Sequence, residues 1–246
     1  MYDVTILSIL RDSVLYIERY LDQLSTVYRH AKNPHTIWVE GNSVDGTYER
    51  LLRVKENNEL PGKISLIKHE MGGPYWPSVD VPERWTQLEH CWNRALAALE
   101  PSEICVAVES DLFWSNWHFQ RMKKHLEKYD VIAPMLMHQF IEFFYDTNGF
   151  RKNGANFECA PFPYCVPGGW NGERLIDLDT CGGLIVTSYE AMRTAVWKNK
   201  CVLHFQPNYR IAVDTETRIY HPVVVDPVPR DNVLRLLEPD ERARWL

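Results

Sequence analysis

Two acidic residues, two positions apart, follow an apolar segment near the middle of the chain. The segment Cys105–Val108 reads Cys-Val-Ala-Val, which is typical of a buried strand, and Glu109 and Asp111 come directly after it. Because side chains alternate along a strand, residues two apart point to the same side. Two carboxylates that face one crevice repel each other unless a hard divalent cation binds between them. The spacing therefore predicts a cation site that also holds a nucleotide diphosphate, although a solvated acidic turn has the same short pattern.

A further acid closes an earlier strand. Thr36–Val39 is strand-like, Glu40 ends it, and the turn-rich stretch Gly41–Thr47 follows. At the carboxyl end of a strand the Glu40 carboxylate can accept hydrogen bonds from a base N–H group or from ribose hydroxyls. Asp45 has two interpretations, a contact with a ligand or a cap on the next helix, and the second is at least as well founded.

Further side chains are expected near the same crevice. Arg84, Arg94 and Asn93 lie on one predicted helix. We expect one of the two arginines, Arg84 by preference, to meet a diphosphate, with a surface ion pair as the alternative. Asn93 is expected to bind a nucleotide or donor sugar, with a solvated polar residue as the alternative. Trp114 is a candidate for the floor of a sugar site, and core packing is its default explanation.

Strands and helices alternate through the first half of the chain, which predicts a mostly parallel sheet with right-handed crossovers. The expected strands are Val4–Leu10, Thr36–Val39, Lys63–Lys68, Ile104–Val108, Val131–Met137 and Leu184–Val186. The expected helices are Val14–Tyr28, capped by Asp12 or Ser13, Tyr48–Asn57, Glu83–Leu99, Trp117–Lys128 and Ser188–Trp197.

The second half is less regular. Phe140–Gly172 is rich in Gly, Asn, Pro and aromatic residues, and we interpret it as a long active-site segment. Short strands are expected at Val202–Phe205, Arg218–Tyr220 and Val223–Val225, and a polar helix between Asn232 and Leu246.

Composition narrows the class of protein. The 246 residues are 45% hydrophobic and 24% charged, with a net charge of −6, which is globular and argues against a generally basic nucleic-acid surface. Six cysteines form no CxxC pair, so zinc-ribbon and thioredoxin interpretations have no support. With no signal-peptide pattern and no apolar run of membrane-spanning length, the expected setting is reduced and cytoplasmic.

In their order and spacing these features resemble the GT-A fold glycosyltransferases. The stretch Glu40-Gly41-Asn42-Ser43-Val44-Asp45-Gly46-Thr47 is similar to the acid and Gly-Ser-x-Asp-Gly-Thr of the family-2 type, and to the fungal mannan-polymerase type. Glu109-Ser110-Asp111 corresponds to the DxD motif, Trp92–Leu96 to an Arg-Asn-x-Ala-Leu helix start, and Asp179–Leu184 to the Gly-Gly acceptor-side element. The resemblance covers roughly residues 4 to 225.

The resemblance implies a metal centre with Mn²⁺ or Mg²⁺. Asp111 is the more direct ligand, whereas Glu109, which replaces the first Asp of the motif, binds metal or ribose, and Ser110 lies against the donor. A late histidine completes the metal site in many such enzymes. His221 is preferred here over His204, with Asp226 as a further candidate.

The acceptor side is expected around Gly182 and Gly183, which let the backbone approach a ligand closely. Asp177 and Asp179 precede them, and one of the two is the expected catalytic base if the reaction inverts. A plain turn before a strand is the alternative for the glycines.

The implied architecture is a single α/β domain over 1–246, a GT-A-like, Rossmann-type, mostly parallel sheet flanked by helices. Residues 1–115 would bind the nucleotide sugar, and the irregular half 116–246 the acceptor. The expected activity is metal-dependent transfer of a hexose from a UDP-sugar, or second a GDP-sugar, to a hydroxyl of a saccharide or another acceptor.

Other functions stay open from the sequence. A non-catalytic nucleotide- or sugar-binding module of the same fold is the main alternative, and a nucleotidyltransferase ranks lower because no glycines follow the first strand. A modified base in phage-type DNA is possible as acceptor, through a basic loop at Arg151, Lys152 and Arg174, but the net charge of −6 does not favour nucleic acid.

Overall fold

The computed structural model describes residues 1–70, 82–198 and 202–222. The strands are β1 Tyr2–Leu10, β2 Ala31–Glu40, β3 Lys63–Lys68, β4 Ile104–Val108, β5 Val131–His138, β6 Arg151–Lys152, β7 Ala155–Asn156, β8 Leu175–Leu178, β9 Leu184–Ser188, β10 Val196–Lys198, β11 Val202–His204 and β12 Ile211–His221. The helices are α1 Val14–Tyr28, α2 Thr47–Glu56, α3 Pro82–Ala97, α4 Asn116–Lys123, which continues as a 3₁₀ turn Lys124–Glu127, and α5 Tyr189–Arg193.

Eight strands form one sheet in the order β3-β2-β1-β4-β9-β5-β12-β8. Neighbours β3, β2, β1 and β4 are parallel, as are β5 and β12, whereas β9 and β8 run against their neighbours. Six strands therefore share one direction, which confirms the expected mostly parallel α/β sheet. The carboxyl ends of these six strands lie at one edge of the sheet, where ligands of open α/β sheets bind.

The central strands are apolar along their length because helices cover both faces of a largely parallel sheet. Every residue of β4 is buried, and β1 and β2 are buried over most of their length. Tyr20 on α1 lies in this core, where its hydroxyl donates to Ser8 and accepts from the Trp38 indole at 2.9 Å. These bonds satisfy polar groups that would be costly to bury alone.

Several elements differ from the expectation. The helix expected over Ser188–Trp197 ends at Arg193, and Trp197 lies on strand β10, where its ring stacks on Trp92 with centroids 4.4 Å apart. The strand expected at Arg218–Tyr220 is the end of the longer β12, and β8 was not expected at all. The segments Val223–Val225 and Asn232–Leu246 lie outside the described residues.

The loops after β1 and β2 are fastened together by Asp45. Its Oδ2 accepts the N–H of Val14, and its Oδ1 accepts both the N–H and the hydroxyl of Thr47, at 2.7 to 2.9 Å. The capping interpretation of Asp45 is thus realised, and on two helices at once. Neither Asp12 nor Ser13 caps α1, since Ser13 makes no side-chain cap bond and its hydroxyl donates to the Arg11 carbonyl.

Among the described residues no helix has the combination of length and apolar character that crossing a membrane requires.

Asp45→Ala is expected to lower the free energy of unfolding by about 1–2 kcal/mol, because two helix starts lose their side-chain acceptor. Urea denaturation followed by circular dichroism measures the change. Val44→Ala is the matched control, since this neighbour is 93% exposed. An equal loss of unfolding free energy in the two variants would contradict the role of Asp45 in joining the two loops.

Candidate active site

The carboxyl ends of β1, β2 and β4 meet at one edge of the sheet, together with the end of β12. Leu10 and Glu40 are paired in register, and the amide of Gly41, the residue after Glu40, donates to the Leu10 carbonyl at 2.9 Å. The hydroxyls of Ser13 and Ser110 lie 3.4 Å apart, so the loop after β1 touches the Glu-Ser-Asp segment.

Asp111 and His221 form the centre of this edge. Asp111 Oδ2 lies 3.2 Å from His221 Nε2, and the ring of His221 stacks on Tyr145 with centroids 3.7 Å apart. His221 Nδ1 lies 2.8 Å from the Pro222 carbonyl oxygen. A carbonyl only accepts, so Nδ1 carries a proton and Nε2 faces Asp111. Burial would lower the pKa of His221, but the Asp111 carboxylate raises it, and His221 in turn holds the pKa of Asp111 below its usual range despite burial.

Two more carboxyl groups share this environment. Burial, with the charges of Asp111 and Asp146 beside it, raises the pKa of Glu109 to about 8. Burial likewise raises the pKa of Asp146 to about 6, while the Gly149 amide and the His221 charge act in the opposite sense. The positive charge of Arg84 lowers the pKa of Glu109 and so acts on the same cluster.

Asp146 was not predicted from the sequence, and two glycines explain its position. Its Oδ1 accepts the Gly149 amide at 2.8 Å. A Cβ atom on Gly149 or on Gly182 would overlap the Asp146 carboxylate. The glycines at these positions therefore make room for a carboxylate, and the turn-forming sequence Asp-Thr-Asn-Gly at 146–149 was the signal available for it.

Glu40 is fully buried at the end of β2. Its Oε1 accepts the Ser43 amide at 2.6 Å, while Oε2 is buried with no hydrogen-bond partner in the described part of the chain. A buried carboxylate oxygen of this kind is an acceptor in need of a donor.

Asp111 has a similar orphan atom, because its Oδ1 is buried and has no partner within the described ranges. A carboxylate and an imidazole whose other nitrogen is bonded to a carbonyl are suitable donors for a divalent cation. No group of three or more His, Cys, Asp or Glu side chains among residues 1–70, 82–198 and 202–222 has the arrangement to hold a metal ion by itself. Asp111 and His221 therefore present two donors of the kind that a divalent cation takes.

A second concavity, of about 460 Å³, lies at the opposite end of the first strands and is lined by Asp3, His35, Lys63 and Glu100, among others. Its polar groups are satisfied by one another: Lys63 pairs with Glu100, and Asn33 donates to Asp3 at 2.9 Å. Among the described residues, none that lines this concavity has a buried side-chain atom without a hydrogen-bond partner, in contrast to Glu40 and Asp111.

Comparison with known proteins places the architecture. No protein-family model matches the sequence, and no curated protein does either. Solved structures do match. S. aureus TarS 1–349 aligns over 99% of this chain at 14% identity with a TM-score of 0.54. A mannosyltransferase from Pyrobaculum calidifontis, in complex with GDP-Man and Mn²⁺, aligns over 95% of this chain at 14% identity with a TM-score of 0.54. GalNAc-T7 with UDP, GalNAc and Mn²⁺ aligns over 91% at 10% identity and 0.51.

The chain has the GT-A fold. The resemblance seen in the sequence is thereby confirmed at the level of architecture. The chain spans 69% of TarS 1–349, 59% of the mannosyltransferase and 43% of GalNAc-T7.

Within this GT-A fold, some expected site residues are engaged elsewhere. The Asn93 amide is used at both ends by the main chain of Trp197, at 2.9 Å each. Trp114 is 1% exposed and packs in the core. Gly183 adopts φ +66, and a Cβ there would overlap Leu136, so this glycine serves packing against β5.

The two aspartates expected to act as base lie on β8 and directly after it. Asp177 pairs with Ala212 near the start of β12, whereas His221 is the last residue of that strand. Asp179 accepts the Gly154 amide at 2.6 Å and belongs to the turn around β6 and β7. Of the other late candidates, His204 lies on the outer strand β11, and Asp226 falls outside the described residues.

The cluster predicts how stability of the metal-free protein depends on pH. The pKa values of Glu109, Asp146 and His221 are raised in the folded state, so these groups bind more protons in the native protein than in the unfolded chain, and their contribution to stability falls as pH rises. The opposite sense applies to the lowered pKa of Asp111, in acidic solution, and below about pH 6.5 to the lowered pKa values of four histidines, His35, His118, His138 and His204. With EDTA present, the Tm is therefore expected to drop by a few degrees from about pH 7 to about pH 8.5.

Glu109→Gln is expected to flatten this dependence, because the neutral amide has no charge to bury. Differential scanning fluorimetry across the pH range measures both proteins. Glu103→Gln, which alters an exposed glutamate just before β4, is the matched control. A Tm profile that is the same in Glu109→Gln and in the unchanged protein would contradict the buried carboxyl cluster.

Proposed function

We propose that this protein is a metal-dependent glycosyltransferase that moves a sugar from a nucleotide-sugar donor to a hydroxyl acceptor. The observation that carries the proposal is the Asp111–His221 pair, 3.2 Å apart at the carboxyl-end edge of a GT-A sheet, with an unpartnered Asp111 Oδ1 beside it. The mannosyltransferase and GalNAc-T7 structures that share this fold are complexes with Mn²⁺ and with GDP-Man or UDP, which supports the same chemistry here.

Asp111 and His221 are the residues that would hold Mn²⁺ or Mg²⁺, with Glu109 next to them. A bound cation supplies positive charge that stabilises the departing diphosphate. Glu109 has an elevated pKa and therefore keeps its proton at neutral pH in the absence of metal. In that state its hydroxyl can donate to a ribose or phosphate oxygen, which fits its alternative role towards the donor.

The donor nucleotide is proposed to lie between the ends of β1, β2 and β4. Glu40 Oε2 offers an acceptor to a base N–H or a ribose hydroxyl. Arg84, whose charge acts on Glu109, is proposed to meet the diphosphate. UDP is favoured and GDP second, and the neighbouring structures include complexes of both kinds.

Asp146 is the base we propose if the transfer inverts. It takes the proton from the acceptor hydroxyl while that oxygen bonds to the anomeric carbon, and the bond from this carbon to the diphosphate breaks. Its pKa of about 6 and its partly exposed position beside the charged pair suit this role better than the placements of Asp177 and Asp179.

A saccharide is the acceptor class we favour over nucleic acid. Of the three basic residues expected to form a nucleic-acid contact, Arg174 is held by both oxygens of Asp214 at 3.0 Å and pairs with Glu216. Arg151 and Lys152 lie on the short hairpin strand β6 and form a small basic feature in a chain of net charge −6.

Nucleotide binding is the first test. Differential scanning fluorimetry with UDP, GDP, CMP and dTDP, each with Mn²⁺ or EDTA, is expected to give a Tm increase of a few degrees for one nucleotide with Mn²⁺ and a smaller one with EDTA, because a ligand of the native state stabilises it by mass action. Hydrolysis or transfer of the matching nucleotide sugar then separates an enzyme from a binding module, which would bind without turnover. The absence of any nucleotide-dependent shift would contradict the proposal.

Asp111→Asn is expected to abolish the Mn²⁺-dependent shift and to reduce donor turnover at least a hundredfold, because the amide is a poor ligand for the cation. Asp177→Asn is the matched control: it changes an exposed aspartate on β8 that is paired with Ala212 near the start of β12. Asp146→Asn is expected to retain the nucleotide shift and to lose transfer. Full turnover in Asp111→Asn, with its fold intact, would rule out the metal assignment.

A further inference from the structure

Helix α1 holds the segment that carries Asp111. Arg19 and Gln23 lie four residues apart, so they share one face of the helix. Both side chains reach main-chain carbonyls between Asp111 and Trp114. These residues precede the Glu-Ser-Asp segment by about ninety positions (for Arg19 and Asp111 the separation is 92).

Arg19 contacts two neighbouring residues of the segment. Its Nη2 donates to the Asp111 carbonyl at 2.6 Å, and its guanidinium lies 3.8 Å from the centre of the Phe113 ring. A planar guanidinium can bond in its plane and stack on its face at the same time, which an ammonium group cannot do. Arg19 thus fixes the segment in both position and orientation.

Gln23 holds the residues on either side of Phe113. Its amide nitrogen donates to the carbonyls of Leu112 and Trp114, and the side chain is only 6% exposed. A buried amide with two carbonyl partners satisfies main-chain groups that a turn would otherwise leave unpaired.

The opposite side of the segment is attached to β12. The Phe113 amide donates to the Tyr220 carbonyl at 2.8 Å, and the Tyr220 amide returns a bond to Phe113 at 3.3 Å. Tyr220 directly precedes His221. Asp111 is two residues from Phe113, and His221 is one residue from Tyr220. The main-chain bonds between Phe113 and Tyr220, together with the bonds to α1, therefore hold Asp111 and His221 near each other.

We propose that Arg19 and Gln23 are positioning residues that aim the Asp111 carboxylate at the cation shared with His221. The inference rests on the proposed function. It adds that the affinity for the cation depends on α1, which contributes no ligand of its own.

The charge of Arg19 makes the proposal testable. A positive charge near a cation site opposes cation binding, so its removal alone would tighten the binding of Mn²⁺. Loss of positioning weakens it. Removal of the charge and loss of positioning therefore change the Mn²⁺ affinity in opposite directions. If Arg19 serves stability alone, a folded variant without it binds Mn²⁺ equally well or more tightly.

The experiment has two measurements. Electron paramagnetic resonance of free Mn²⁺ gives the Mn²⁺ dissociation constant at saturating UDP. Calorimetry in EDTA gives the affinity for UDP without metal. Arg19→Met is expected to weaken Mn²⁺ binding at least tenfold and to change metal-free UDP affinity by less than twofold. Arg19→Lys, which keeps one donor, is expected to lie between, and Gln23→Met to weaken Mn²⁺ binding severalfold. The matched control is Arg50→Met, which removes an ion pair with Glu18 on α1 and another with Glu59 after α2.

Each result has a distinct meaning. Equal or tighter Mn²⁺ binding by folded Arg19→Met, with normal binding by the unchanged protein, overturns the positioning role and leaves the proposed function intact. If Arg19→Met does not fold, Arg19→Lys and Gln23→Met decide on the same criterion. Failure of the unchanged protein to bind Mn²⁺ with any of the four nucleotides overturns the proposed function, and the positioning role with it.

Discussion

The contact between Asp111 and His221 joins two strands that are not neighbours. Strands β9 and β5 lie between β4 and β12 in the sheet, so the segment after β4 must pass over the ends of both to reach β12. Gly183, at the entry to β9, makes this passage possible: it bonds through its carbonyl to the Glu109 amide, and it packs so closely on Leu136 of β5 that a Cβ would not fit. The geometry of the site follows from this crossing.

The crossing also concentrates negative charge at one place on the edge of the sheet. Glu109, Asp111 and Asp146 lie within electrostatic reach of one another, with His221 and Arg84 as the opposing charges. Burial and mutual repulsion would favour an apolar core at this position for stability alone. The chain instead keeps the acids. The Gly149 amide holds Asp146, α1 holds the segment of Asp111, and Tyr145 stacks on their counter-charge His221. That arrangement is characteristic of a site whose electrostatics are completed by a ligand.

The loops on the other side of the edge have a different task. Asp45 uses both carboxylate oxygens on main-chain and side-chain donors of the first two loops, which leaves Glu40 as the acid with an unpartnered oxygen among the described residues there. Two loops joined in this way and presenting one unpartnered acceptor are consistent with the proposed nucleotide site, because the Asp45 oxygens beside that acceptor are already satisfied. Asp45 and Glu40, which lie in the same turn-rich stretch of the sequence, thus differ in the structure. The oxygens of Asp45 are used within the fold, whereas Glu40 keeps one oxygen available to a ligand.

The sequence by itself determined the local part of this structure. The apolar runs of β1, β3 and β4, the alternation with helices and the acids at strand ends all follow from periodicity over a few residues, and so the edge that carries Glu40, Glu109 and Asp111 was predictable. Strand β8, the first part of β12 and the ending of α5 at Arg193 escaped prediction, because short strands owe their existence to neighbours in the sheet and not to their own pattern.

Only the tertiary structure decided which of these residues meet. Whether His221 or His204 faces Asp111 depends on the strand order, and the insertion of β9 between β4 and β5 leaves no trace in local sequence. For the same reason Asp146, Arg19 and Gln23 were not predicted, nor that the Asn93 amide bonds the main chain of Trp197 and that Trp114 packs in the core. Contacts between residues tens of positions apart are set by how the strands and helices pack, and that packing is a property of the whole chain.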